Sequence, residues 1–209
     1  MPFAEWAIPF PGLWAAGIES LRPNEFFLDP SLNPSHTRSK GTPVTISLLI
    51  FDVDGVLTDG RITPGPGGDT EKTFSSQDGF AMKLWRRHGR RIALISGRKS
   101  SLVERRAAEL ELDFVYTGRD DKVSCFEDVL AKAGVASEDV AYVGDDLPDL
   151  PVMSLCGVPL AVGDALPEVK RAAVYVSRRS GGRGAAAELI VWLLRLDGVW
   201  PNIRLAYVR

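Results

Sequence analysis

Residues 45–60 read TISLLIFDVDGVLTDG, and this stretch indicates both the architecture and the place of a site. A short, continuous apolar run ends directly in Asp52, and Asp54 follows two positions later. Such a run is typical of a strand buried on both faces of a sheet. Carboxylates this close repel each other and raise each other's pKa unless a cation or a proton lies between them. The stretch therefore predicts a buried strand that ends in a site for a metal ion, a reacting phosphate, or both.

The same pattern recurs along the chain from about residue 44. Further apolar runs predict five more buried strands, at 91–97, 113–118, 140–146, 157–162 and 172–177. Helical segments alternate with them, at 80–89, 100–112, 121–134, 165–172 and 185–196. This alternation predicts an α/β fold in which helices cover both faces of a doubly wound parallel sheet. The interval between Asp59 and Asp78 is short and contains the turn PGPGGD, which predicts a small β-hairpin after the first strand.

Length and composition restrict the class of protein. The chain has 209 residues and a formal net charge of -2, which is typical of one globular domain and argues against a nucleic-acid partner. Two cysteines set no disulfide framework and suit the reducing cytoplasm. No apolar run approaches the ~20 residues that span a bilayer, so we expect no membrane association. Residues 1–43 are predicted to form a partly irregular extension, 44–198 the domain, and 199–209 a C-terminal tail.

Polar side chains follow four of the predicted strands. Asp52 and Asp54 follow the first, Ser96 the second and Asp145 the fourth, while Lys122 comes soon after the third. Because the carboxyl ends of parallel strands meet at one edge of a sheet, we expect these groups to lie together. Oxygen ligands without histidine or cysteine favour Mg²⁺. A carboxylate nucleophile, a second carboxylic acid, a lysine and a hydroxyl are the groups that phosphoryl transfer requires.

In order and context, DVDGVLTDG, ISGRKS, GRDDK and GDDLPDL resemble the four motifs of the haloacid dehalogenase-like phosphatases. The resemblance covers about 47–196 and implies a Rossmann-like fold. The pattern K-x-F-x-x-x-DG from Lys72 and the late GGRGAAAE from Gly181 resemble the uncapped subgroup of 3-deoxy-D-manno-octulosonate 8-phosphate phosphatases and nonulosonate 9-phosphate phosphatases. The implied function is hydrolysis of a small phosphorylated sugar acid in lipopolysaccharide or sialic acid biosynthesis.

The resemblance also implies a role for each matching residue. Asp52 would be the nucleophile and a Mg²⁺ ligand, and Asp54 would be the general acid and base, with its main-chain carbonyl on the metal. Ser96 and Lys122 would hold the phosphoryl group, and Asp145 would be the third protein ligand. Two further carboxylates are expected outside the set of direct ligands, namely Asp146 and Asp149. The acid at position 54 implies a phosphatase or phosphomutase, because family ATPases have threonine there.

Substrate-binding roles are implied for residues outside the acidic cluster: Lys72, Asp78, Gly97, Arg98 and Arg183. This chain departs from the octulosonate phosphatase pattern at Ala187, where arginine is usual, and at Gln77, where a basic residue is common. With no room for a cap domain, the resemblance implies a homotetramer in which neighbouring hairpins and C-terminal segments complete each site. A phosphomutase and a catalytically inactive binding or assembly domain are the alternative interpretations.

Overall fold

The computed structural model describes residues 46–66 and 68–208. The predicted N-terminal extension, 1–43, lies outside these residues. These described residues contain eight strands: β1 (Leu48–Phe51), β2 (Thr63–Gly65), β3 (Gly68–Glu71), β4 (Arg91–Ile95), β5 (Phe114–Tyr116), β6 (Val140–Gly144), β7 (Val158–Ala161) and β8 (Tyr175–Val176). Seven α-helices accompany them: α1 (Ser76–Arg87), α2 (Ser101–Glu109), α3 (Lys122–Ala133), α4 (Leu150–Met153), α5 (Pro167–Ala172), α6 (Ala185–Leu196) and α7 (Trp200–Ala206).

Six strands form one parallel sheet in the order β5-β4-β1-β6-β7-β8. The central apolar runs form strands that are buried on both faces: all four residues of β1 are buried, as are all five of β6, whereas β5 and β8 at the margins are only partly buried. The predicted α/β fold with a doubly wound sheet is therefore confirmed. The chain moves outward from β1 through β4 and β5, then returns to β6 on the other side of β1. This reversal places a crevice at the carboxyl ends of the central strands.

The predicted hairpin is also confirmed. Strands β2 and β3 pair antiparallel as a separate two-stranded sheet between β1 and α1. Within the described residues, this hairpin and its flanking loops are all that the chain inserts between those two elements, so no cap domain is present there. None of the helices in the described part of the chain combines the length and apolar character needed to cross a lipid bilayer.

The segment predicted as a C-terminal tail contains a helix, α7. Ile203 of α7 is buried, and Asp197 at the end of α6 forms an ion pair with Arg90 at 2.7 Å in a largely buried position. The sequence did not predict this helix, because Pro201 and a short apolar pattern are equally typical of an irregular chain terminus. Proline is nevertheless compatible with the first turn of a helix, where its missing N–H has no partner to lose.

Candidate active site

The carboxyl ends of β1 and β6 bring the predicted acidic residues together. The main-chain N–H of Asp52 donates to the carbonyl oxygen of Val143 at 3.0 Å, so the sheet ladder itself fixes the position of this residue. The Asp52 side chain is buried, and its Oδ1 accepts a hydrogen bond from Lys122 Nζ at 2.6 Å. A buried carboxylate with one oxygen paired to a lysine leaves the other oxygen available to a metal or a reacting atom.

Lys122 lies in the first turn of α3, which Asp121 caps by accepting from Ser124 N at 3.0 Å. Its ammonium group also donates to Asp149 Oδ1 at 2.7 Å, so one cation bridges two buried carboxylates. Burial alone lowers the pKa of Lys122, but Asp52 and Asp149 more than offset this and the pKa is raised. The lysine is therefore charged over the whole physiological range.

Asp149 is surrounded by donors. Its Oδ1 also accepts from the Tyr142 hydroxyl at 2.7 Å, and its Oδ2 accepts from the main-chain N–H groups of Asp145 and Asp146 at 2.9 and 3.2 Å. Both oxygens are thus occupied, and Asp149 orients Lys122 and the loop after β6. Sequence reasoning missed Tyr142, because a tyrosine in an apolar strand reads as an ordinary core residue.

Three carboxylates could hold a metal ion. Asp52, Asp145 and Asp149 each offer an oxygen, and these oxygens lie within 4.8 Å of one another. The approach is possible because position 55 is glycine: a Cβ on Gly55 would lie 2.0 Å from Asp145 Oδ2, and its φ of +101° favours glycine. An all-oxygen, multiply charged set fits Mg²⁺ better than zinc or copper. Because Asp149 is saturated with hydrogen bonds, Asp52 and Asp145 are the better ligands.

The electrostatics of the cluster show what a cation would relieve. Burial raises the pKa of Asp52 to about 7, with a smaller rise from the Asp149 charge, although Lys122 opposes both. Burial also raises the pKa of Asp145 to about 8, with further contributions from Asp52 and Asp149. One lysine is therefore insufficient to compensate the carboxylates at neutral pH.

The metal-free protein should lose stability as pH rises. The native state binds protons that the unfolded chain releases near pH 3.8, so the free energy of unfolding falls from about pH 4 to about pH 8. Between pH 6 and 8 we expect a fall of about 2 kcal/mol, allowing for solvent screening at the part-exposed Asp145. Thermal denaturation in EDTA measures it, and added Mg²⁺ should raise Tm more at pH 8 than at pH 6. Asp145→Asn should make the free energy of unfolding less dependent on pH. A Tm at pH 8 that does not change when Mg²⁺ is added would contradict the metal site.

Asp54 lies in the turn after β1 and is paired with Lys72, which follows the hairpin. The Lys72 side chain is fully enclosed. Asp54 Oδ2 is buried without a hydrogen-bond partner. The structure places Lys72 against Asp54, at the acidic edge of the sheet, and its predicted role in substrate binding stays a prediction. Hairpin and acid are joined by this contact, which sequence spacing alone could not indicate.

The loop after β4 carries three predicted residues. Ser96 is buried, and its Oγ accepts from Arg98 N at 3.2 Å and lies 3.3 Å from Arg98 O. Arg119 N donates to Ser96 O at 3.2 Å, which connects this loop to the one that precedes Lys122. Gly97 is half-buried at the same edge, and Arg98 is exposed. These residues therefore lie at the expected edge of the sheet, with the Ser96 hydroxyl bound within its own turn.

Asp78 has a structural position that the sequence did not predict. It is buried in the first turn of α1, and it accepts from Gly184 N at 3.3 Å and Ala187 N at 2.7 Å. Since the N-cap of α6 is Gly184, which has no side chain to cap the helix, a carboxylate from another helix performs the task. Asp78 therefore fixes the start of α6, and its predicted role in substrate binding stays a prediction. Burial raises its pKa, although these two hydrogen bonds oppose the rise.

The glycine-rich turn before α6 packs directly on the loop after β1. Gly182 N donates to Val56 O at 2.9 Å, and a Cβ on Gly181 would lie 1.6 Å from Gly55 O. Close backbone approach therefore requires glycine here. Arg183 in this turn is exposed, and Asp146 in the loop after β6 is exposed as well. This contact brings a late segment of the chain, the turn before α6, against the loop that follows the first strand.

Comparison with known proteins agrees with this geometry. Residues 114–189 match the family model described as haloacid dehalogenase-like hydrolase. The chain is 46% identical over 153 residues to the 3-deoxy-D-manno-octulosonate 8-phosphate phosphatase KdsC of Escherichia coli (strain K12), covering 73% of this chain and 81% of the relative.

Solved structures give the same result. The 3-deoxy-D-manno-octulosonate 8-phosphate phosphatase from Yersinia pestis matches with a TM-score of 0.72 and 40% identity, over 75% of this chain and 84% of that one. The enzyme of the same name from Moraxella catarrhalis, in complex with magnesium ion, phosphate ion and a KDO molecule, matches with a TM-score of 0.74 and 32% identity, over 78% and 93%. The chain belongs to the haloacid dehalogenase-like hydrolases, and within them to the family of 3-deoxy-D-manno-octulosonate 8-phosphate phosphatases.

Proposed function

We propose that this protein is a Mg²⁺-dependent phosphomonoesterase of sugar acids. Its substrate would be 3-deoxy-D-manno-octulosonate 8-phosphate or a related nonulosonate 9-phosphate, hydrolysed through an aspartyl-phosphate intermediate. The observation that carries the proposal is the group of Asp52, Asp145 and Asp149 around Lys122, with carboxylate oxygens within 4.8 Å of one another. Such crowding destabilises a protein unless a cation and an anionic substrate use it. The Moraxella catarrhalis relative, which binds magnesium, phosphate and KDO, supports the choice of metal and substrate.

The first chemical step follows from the orientation of Asp52. Its carboxylate, held through Oδ1 by Lys122, attacks phosphorus while the bond to the sugar oxygen breaks. Asp54 acts as the general acid and supplies a proton to that departing oxygen. Asp52, Asp145 and the main-chain carbonyl of Asp54 would hold Mg²⁺, which when bound neutralises negative charge on the carboxylates and the phosphoryl oxygens. The sugar acid leaves with its hydroxyl restored.

The second step regenerates the enzyme. Asp54, now a carboxylate, accepts a proton from water, and the resulting hydroxide attacks phosphorus. The bond from phosphorus to Asp52 breaks, which releases inorganic phosphate and restores the carboxylate. Lys122 stays within reach of Asp52 through both steps, and its raised pKa keeps a full positive charge beside the phosphoryl oxygens. Asp149 and Tyr142 hold this lysine in place.

Phosphate release tests the proposal. The full-length protein should release inorganic phosphate from 3-deoxy-D-manno-octulosonate 8-phosphate with Mg²⁺, and EDTA should abolish the release because the carboxylate cluster then repels the substrate's charge. A panel of phosphorylated octulosonates, nonulosonates and neutral hexoses, compared by kcat/KM, identifies the substrate. Transfer between substrate hydroxyls without net phosphate release would instead indicate a phosphomutase. No turnover of any phosphate ester, aryl phosphates included, would leave a binding domain.

Two other expectations stay predictions. A tetramer is supported by exposed apolar side chains that a subunit interface could cover, among them Ile62, Leu147 and Leu166. The free thiols of Cys125 and Cys156 suit a reducing cytoplasm.

A further inference from the structure

The turn between β8 and α6 carries an unusual amount of positive charge. Arg178, Arg179 and Arg183 are all exposed, and the turn rests on the loop that contains Asp52 and Asp54. It is fixed there by Gly182 N on Val56 O at 2.9 Å and by Gly181 N on Asp164 Oδ1 at 2.9 Å. The three arginines therefore extend from a turn whose backbone is fixed against the loop after β1.

Arg179 differs from the other two arginines in being oriented. Its Nη1 donates to Gln77 Oε1 at 2.6 Å, and a Cβ on Gly184 would lie 2.5 Å from the same nitrogen. Its main chain is held as well, since Gly163 N donates to Arg179 O at 2.8 Å and Arg179 N donates to Ser177 Oγ at 3.0 Å. Within the described residues, neither Arg178 nor Arg183 makes a side-chain hydrogen bond of this kind.

The guanidinium of Arg179 lies beside Gln77, and the nearby Asp78 carboxyl interacts with it electrostatically. Its partner Gln77 is neutral, and no carboxylate in the described part of the chain forms an ion pair with it. Asp78, one residue beyond Gln77, uses its two oxygens on the main-chain N–H groups of Gly184 and Ala187. Guanidinium has five N–H donors in a planar fork, so one bond to Gln77 leaves donors for an anion. An exposed but oriented cation is preorganised for recognition.

We propose that Arg179 binds the carboxylate of the substrate and selects sugar-acid phosphates over neutral sugar phosphates. This inference rests on the proposed function. The phosphate and the carboxylate lie at opposite ends of such a substrate, and the turn that carries Arg179 packs on the loop after Asp52 and Asp54 through Gly182 N and Val56 O. Arg179 also returns positive charge to the region where Gln77 and Ala187 lack the basic residues common in the family pattern, because its guanidinium contacts Gln77 and lies against the N-cap of α6.

The test compares two substrates in the wild-type protein and Arg179→Met. For 3-deoxy-D-manno-octulosonate 8-phosphate, losing a charge-assisted hydrogen bond should raise KM roughly 10- to 100-fold with kcat little changed. For p-nitrophenyl phosphate, kcat/KM should stay within about twofold of the wild-type value, because this substrate has no carboxylate for Arg179 to bind. Arg179→Lys should recover part of the affinity, and Gln77→Leu should cause a smaller rise in KM by freeing the guanidinium.

Arg178→Met is the matched control, since it removes the same charge from the neighbouring position and should leave both substrates unaffected. Tm separates recognition from folding: Arg179→Met should stay close to the wild type. A wild-type preference for sugar-acid phosphate that persists in Arg179→Met would overturn the inference while the phosphatase function stands. Equal loss with both substrates, or with Arg178→Met, would also overturn it. Failure of the wild type to hydrolyse either substrate would instead reject the function on which the inference rests.

Discussion

Asp52→Asn should leave a folded protein without measurable phosphatase activity. An amide oxygen is too weak a nucleophile to attack phosphorus, so we expect kcat to fall by at least about 10⁴-fold. The fold should survive, because the amide oxygen of the new side chain can still accept from Lys122 Nζ and one buried negative charge has been removed. Phosphate release and thermal denaturation, measured on the same preparation, separate the two effects.

The control for this variant is Glu127→Gln, which makes the same acid-to-amide change at an exposed position on α3. It should have wild-type kcat and Tm. Normal turnover by Asp52→Asn would remove Asp52 from the role of nucleophile, and the aspartyl-phosphate mechanism with it.

Lys122→Met should cause a large loss of both stability and activity. The substitution removes the one cation that lies 2.6 Å from Asp52 and 2.7 Å from Asp149, and both carboxylates are buried. Breaking a buried pair by removing one partner costs about 3–5 kcal/mol. Because a positive charge beside the phosphoryl group is also lost, kcat should fall about 10²- to 10³-fold. Urea denaturation and phosphate release measure the two losses.

A second variant keeps this prediction decisive. Lys122→Met combined with Asp149→Asn removes one of the stranded charges, so it should regain part of the lost stability without regaining activity. Lys132→Met is the matched control: Lys132 lies on the same helix and binds Asp128 at a similar 2.7 Å, but both side chains are exposed. Water screens that pair, so Tm should hardly change. If Lys132→Met lost as much stability as Lys122→Met, burial of the Lys122 ion pairs could not explain the loss in Lys122→Met.

The strands of the sheet and the meeting of acidic residues at its edge were predictable from sequence. Continuous apolar runs such as that of β1 leave few alternatives to a buried parallel strand, and the residues next after each parallel strand lie at a single edge of the sheet. The orientation of individual side chains was not predictable. Asp78 and Ala187 are 109 positions apart, and only the packing of α1 on α6 makes one cap the other.

The same limit applies to Lys72, Tyr142 and Arg179. Lysine after a hairpin, tyrosine in an apolar strand and arginine in a loop each have an ordinary interpretation, and each acquires its role from a partner elsewhere in the chain. Sequence spacing indicates which polar groups are available. Only the tertiary structure shows which donor binds a given oxygen. The sequence therefore predicted which reactive groups lie at the edge of the sheet better than it predicted which residues hold them in place.

The order of the strands places the acidic residues and the arginine-bearing turn on different parts of the sheet. Asp52 and Asp145 follow the two central strands, whereas the arginine-bearing turn follows β8, a strand of two residues at the margin of the sheet. Marginal elements tolerate replacement more readily than central ones, because fewer neighbours depend on them. If the proposed roles hold, we expect substitutions in the arginine-bearing turn to change substrate preference while the chemistry at Asp52 and Asp145 is retained.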